Sequence, residues 1–255
     1  RHVEGWIASV PPGFIAADVT GRRVRNWVYA LALLDGDFPS LAQAMEESLR
    51  EQVGWLRENL HAKRNHRTLE LFAVYIAGVW LDEREWTRFA MAELLANARA
   101  DFLPDGVHVE RSSHYHCIAL RNLIEATELA DDNGLAVPPE LRDIVARASR
   151  FAHALHKPDG TIPALSDADC GDYRAMLGPA PMFAAVERFE HGGYTVMHGR
   201  GDSYLILDHG PLGEGNHGHL DCLSFEFASH GRSLIVDPGR YTYHEGDEEN
   251  WRAAL

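Results

Sequence analysis

A chain of 255 residues is long enough for one large domain or two modest ones. Its apolar content of 45% allows a sizeable buried core, and no apolar run approaches the roughly 20 residues that a bilayer span requires. A formal charge of −14 argues against nucleic acid as a partner and gives no long-range attraction to an acidic polymer, which local groups would have to hold.

From Arg25 to about His156 the hydrophobic period is helical. Leu41, Met45, Leu49, Val53, Leu56 and Leu60 recur at three- and four-residue steps, as do Leu69, Phe72, Ile76 and Val79. Leu120, Leu123, Ile124 and Thr127 continue the pattern, followed by Leu141, Val145, Ala148 and Phe151. Asp35-Gly36-Asp37 breaks one helix before Pro39-Ser40 opens the next, and Asp132-Asn133-Gly134 ends another before Pro138-Pro139. About six helices with short connections are expected, as in antiparallel helical hairpins.

His156-Lys157-Pro158-Asp159-Gly160 opens an irregular stretch that runs through Gly178-Pro179-Ala180-Pro181. The period then drops to two at Tyr194–Met197, Ser203–Leu207, Leu223–Phe227 and Ser233–Val236, with Ser229-His230-Gly231-Arg232 as a hairpin turn. Helices first and strands second imply two packed domains, at residues 1–185 and 186–255, and not a βαβ sheet. The amino terminus lacks the basic-then-apolar pattern of a signal peptide, and the three cysteines, Cys117, Cys170 and Cys222, imply neither a disulfide framework nor a zinc knuckle.

Three segments are denser in polar residues than a fold alone requires. Arg64-Asn65-His66-Arg67-Thr68-Leu69-Glu70 opens a strongly apolar helix, and Asn65 there is either an N-cap or a site residue. Asp105 through His116 holds three histidines and a tyrosine within nine residues, groups suited to proton transfer, although Ser112 or Ser113 could simply cap the next helix. In Gly215-Asn216-His217-Gly218-His219-Leu220-Asp221 an extended backbone would put His217, His219 and Asp221 on one face, and the hairpin returns Asp237 close to them. Two histidines and a carboxylate on adjacent strands make a zinc half-site, although His219 and Asp237 alone supply only two ligands.

The run His217-Gly218-His219-Leu220-Asp221-Cys222-Leu223-Ser224-Phe225-Glu226, followed by Val236-Asp237-Pro238-Gly239 and Tyr241, resembles the signature of heparinase II/III-like polysaccharide lyases and related alginate lyases. The similarity extends back through Pro158–Pro163, Ser112–His116 and Asn65-His66, covering most of the chain. It implies an α+β multidomain fold, an incomplete (α/α) toroid followed by part of an antiparallel β-sandwich. It also implies β-elimination from a uronic-acid-containing polysaccharide, in a periplasmic or secreted bacterial protein. By the same resemblance Asn65 neutralises the uronate carboxylate with His66 beside it, and Tyr115 and His217 exchange protons with the substrate. His219 and Asp237 match two of three ligands to a structural zinc. The third ligand, a histidine, is expected beyond the segment matching Trp251–Leu255, where this chain ends, so a fragment is expected. Arg67, His116 and Trp27 are candidate substrate-binding residues.

Two other readings stay open. A glycoside hydrolase would need two well-placed carboxylates, for which Glu70, Asp105 and Glu110 are candidates. A non-catalytic polysaccharide-binding protein could line a groove with Trp6, Trp27 and Tyr29, although Trp27 fits a buried helix position as well.

Overall fold

The computed structural model describes residues 2–34, 36–214 and 217–240. Helices come first: α1 (His2–Ser9), α2 (Ala17–Leu34), α3 (Pro39–Glu58), α4 (Arg64–Trp80), α5 (Arg84–Asp101), α6 (Ser113–Asp132), α7 (Pro139–Leu155) and the single turn α8 (Arg174–Leu177). Strands follow: β1 (Val186–Phe189), β2 (Tyr194–His198), β3 (Tyr204–Asp208), β4 (Phe225–Ser229) and β5 (Arg232–Ile235). The residues group into two compact units, Arg1–Ala98 with Asn122–Pro139, and Arg99–Arg121 with Glu140–Leu255.

In the first unit α4 is the central element. Every residue from Thr68 to Gly78 is buried, which fits a helix that is apolar almost all round. Gly21 on α2 lets that helix approach closely, since a Cβ there would meet a methyl group of Leu69 at 3.0 Å. On α3 the stripe Met45, Leu49, Val53 and Leu56 is buried, as its period requires. Helix also begins earlier than Arg25. Thr20, Val24, Val28 and Leu31 form a buried stripe on α2, hidden in the sequence by three intervening arginines and an asparagine.

In the second unit the strands form one five-stranded antiparallel sheet in simple sequence order. The turn between β4 and β5 has positive φ at both His230 (52°) and Gly231 (72°), the backbone of a type I′ hairpin. The edge strand β1 escaped the sequence reading because Val186-Glu187-Arg188-Phe189 buries only Phe189. The Tyr204 hydroxyl on β3 lies 3.1 Å from the carbonyls of both Ala154 and Leu155, and its one proton is shared between carbonyls left orphaned at the end of α7.

Candidate active site

On the helical unit, the start of α4 carries Asn65, His66 and Arg67. Lys63 is the residue before the helix and makes no side-chain cap, so Asn65 sits inside the first turn and the N-cap reading of it fails. Asn65 is buried, and Arg64 immediately before it holds φ at 75°. Such a conformation in a non-glycine residue costs about 1–3 kcal/mol and persists only where its surroundings fix it.

His66 is half-exposed, yet its Nδ1 is buried without a hydrogen-bond partner and lies 3.8 Å from Asp18 Oδ2. Burial lowers the pKa of its ring, against the charge of Asp18. Arg67 was expected to bind substrate. Its guanidinium instead donates to the carbonyl of His61 at 2.8 Å and to Glu93 at 2.5 Å, and so holds the α3–α4 connection. Trp27 is half-buried, edge-on to Trp6 with ring centroids 5.4 Å apart. Tyr29 is exposed and donates to Glu125 at 3.3 Å.

In the second unit Tyr115, in the first turn of α6, stacks on His217, with ring centroids 3.7 Å apart and planes 20° from parallel. His217 Nδ1 lies 2.6 Å from Oδ2 of Asp167, a carboxylate with 0% of its side chain exposed. A buried carboxylate at that distance accepts the Nδ1 proton, which leaves Nε2 as the basic nitrogen of neutral His217.

Ser112 locks the arrangement. Its Oγ accepts the backbone N–H of Tyr115 at 3.3 Å and donates to the Asp167 carbonyl at 2.7 Å. The hydroxyl therefore does cap α6, as the simpler reading had it, and it also ties the helix start to the loop that orients His217. The neighbouring Ser113 donates to the Pro163 carbonyl at 2.5 Å. Ser166, with φ at 61°, makes the bend that presents Asp167. Sequence reading did not single out Asp167. The signal available was the polar run Ser166-Asp167-Ala168-Asp169 after an apolar Ile162-Pro163-Ala164-Leu165, which suggests a turn as readily as a site.

His116 needs correction. It is 1% exposed, wedged edge-on against Phe102 and Phe151, with Nε2 bonded to the Ala148 carbonyl at 3.0 Å. Burial pushes its pKa down to about 4, so it is a neutral core histidine and does not contact substrate as placed. Asp105 is equally structural, since Oδ2 accepts the N–H groups of His191 and Gly192 at 2.7 and 2.8 Å and so holds the β1–β2 turn.

The metal-type residues depart from the expected strand face. Residues 217–224 are irregular, with His217 turned to Asp167 and His219 facing a separate cavity of about 230 Å³ that Asp208 and Asp221 also line. His219 is 3% exposed and neither ring nitrogen has a hydrogen-bond partner. Asp237 is buried and accepts from Ser224 Oγ at 2.5 Å and from Gly239 N–H at 2.9 Å. The Asp221 carboxyl is raised by burial, with Asp237 adding to the shift and His219 opposing it, so the three groups lie within electrostatic reach. An imidazole with two orphaned buried nitrogens, lining one cavity with the Asp221 carboxylate, has the chemistry of a zinc-type donor set. Among the described residues, however, the group of three ligand atoms lying within 4.8 Å of one another is His61, His66 and Glu70, in the other unit. Tyr241 and Trp251–Leu255, cited for the resemblance, lie outside the described residues.

Residues 39–189 match the family model of the heparinase II/III N-terminus, and residues 182–255 match that of the heparinase II/III-like C-terminal region. No curated protein matches. A crystal structure of heparinase III is similar at a TM-score of 0.82 and 18% identity, covering 98% of this chain and 48% of that one. A heparan sulfate lyase HepC mutant from Pedobacter heparinus is similar at 0.79 and 20%, covering 99% and 47%. A heparinase III with methylated lysines gives 0.78 and 21%, covering 93% and 42%. This chain thus spans less than half the length of those proteins, and at such identities the likeness speaks for the fold, a helical toroid running into an antiparallel sheet. With both family models matched end to end along most of its length, the chain belongs to the heparinase II/III family.

Proposed function

We propose that this protein is a polysaccharide lyase that cleaves a uronic-acid-containing acidic polysaccharide by β-elimination. The stacked Tyr115–His217 pair, with His217 held by buried Asp167, is the observation that carries the reading. The C5 proton of a uronate is a weak acid, because removing it builds charge beside an existing carboxylate. Asn65, with His66 next to it, is assigned to hydrogen-bond that carboxylate and stabilise the enolate-like state. His217 takes the C5 proton on Nε2, while Asp167 steadies the imidazolium that results. Tyr115 donates its phenolic proton to the departing O4 oxygen.

His219 and Asp237, with Asp221 beside them, are the residues that would hold a zinc ion. Bound there, zinc would supply structural cohesion to the loop bearing His217, with no part in the proton transfers. The proposed division is a helical part to residue 185 and a β-domain from residue 186. A polymeric acidic substrate suits a periplasmic or secreted setting, and no described helix is long and apolar enough to cross a membrane.

The hydrolase reading loses support because Asp105 is committed to two backbone N–H groups and Glu70 to His61. The full-length protein, given a panel of uronate polysaccharides, is expected to release products with a conjugated C4–C5 double bond, read by ultraviolet absorbance. Reducing sugar without that absorbance would replace the lyase with a hydrolase. Neither signal on any polymer would leave a binding protein.

A further inference from the structure

We propose that His61, His66 and Glu70 form a second, separate site for a divalent transition metal of zinc's chemistry, on the helical unit. One ligand atom from each lies within 4.8 Å of the others. Zinc bonds of about 2.0–2.2 Å in tetrahedral geometry set ligands roughly 3.4 Å apart, so small side-chain rotations close the set.

Glu70 is fully buried, and its carboxylate is already aimed by the backbone N–H of His61, which it accepts at 2.8 Å. His61 Nδ1 sits 2.5 Å from Glu70 Oε1, and the His61 and His66 rings are 5.0 Å apart. A purely structural explanation, in which His61 pins the α3–α4 connection to Glu70, accounts for those two hydrogen bonds. It does not account for His66 Nδ1, a buried nitrogen with no hydrogen-bond partner, whose Asp18 contact at 3.8 Å is too long for a hydrogen bond. A buried imidazole nitrogen normally finds a hydrogen bond, and a metal is the alternative partner that also suits the two nearby carboxylates. Two histidines and one glutamate leave the fourth tetrahedral position open to water or to an anionic ligand.

The site goes beyond the lyase reading, and its test uses no activity. Metal-stripped full chain carrying His219→Ala, which removes the β-domain candidate, is titrated with Co²⁺ and Zn²⁺. The expected result is one equivalent bound, with the visible absorption of tetrahedral Co²⁺. Adding His66→Gln, a change that breaks no hydrogen bond of Nδ1, is expected to weaken binding by about 10-fold or more, and His61→Gln to do the same. Circular dichroism and melting temperature confirm that each variant is folded. No binding by the His219→Ala protein, or binding unchanged by both added substitutions, would overturn the proposal.

Discussion

At the scale of single residues, the roles proposed for the Tyr115–His217–Asp167 cluster separate two groups assigned to the substrate from one assigned to position them. Tyr115→Phe deletes one hydroxyl and keeps the ring that stacks on His217, so the fold should persist while turnover falls about 10²-fold or more. Near wild-type turnover would make Tyr115 a packing residue. Asp167 is proposed to act through His217, so Asp167→Asn should lower kcat by about 10²-fold while leaving KM within about twofold. A KM that rises with kcat unchanged would point instead to a distorted binding surface. Of this cluster the sequence disclosed Tyr115 and His217, through a resemblance carried by their neighbours. Asp167 was invisible, because nothing local distinguishes a carboxylate that orients a histidine 50 residues away from one that ends a turn.

The elements themselves were easier to read, since burial imposes a period on sequence. The α3 stripe, the α7 stripe (with Ile144 buried where Val145 was expected) and four of the five strands follow from spacing alone, and the β4–β5 turn from His230-Gly231. What spacing could not give is how polar groups join one element to another. Lys157, just past α7, reaches Glu226 on β4 with Nζ 2.9 Å from Oε2, and both side chains are buried. Glu226 Oε1 also accepts the N–H of Ala164, which fixes the loop that leads to Asp167. Removing one partner of such a pair strands the other charge out of water, whereas replacing both by apolar groups removes the problem. Lys157→Met should therefore destabilise the protein by about 3–5 kcal/mol, and Lys157→Met with Glu226→Leu by clearly less. Denaturant midpoints of the wild type, both single variants and the double variant measure this directly. Additive losses would show that the two side chains do not interact as the geometry implies.

For the molecule as a whole, desolvated histidines contribute to the response to acid. Desolvation lowers the pKa of His114, His153, His156 and His198, and that of His116 to about 4 from 6.5. A histidine with a depressed folded pKa is neutral in the fold while the unfolded chain takes up a proton below about 6.5. Its contribution is thus intact above 6.5 and lost as pH falls toward 4. Asp208 has the opposite sign. Burial raises its carboxyl from 3.8 to about 6, so the stability it lends is complete below 3.8 and disappears as pH rises through 6. The two windows overlap between pH 4 and 6, and a wild-type melting curve alone would blur them. Comparing wild type with His116→Gln, whose amide can still donate to the Ala148 carbonyl, isolates the histidine. The stability advantage of the wild type should shrink by up to about 3 kcal/mol between pH 6.5 and pH 4, since each pH unit of differential protonation is worth about 1.4 kcal/mol. Melting temperatures of both proteins across that range give the answer. Parallel curves would mean that His116 is protonated in the fold as readily as in the unfolded chain, against its position between Phe102 and Phe151.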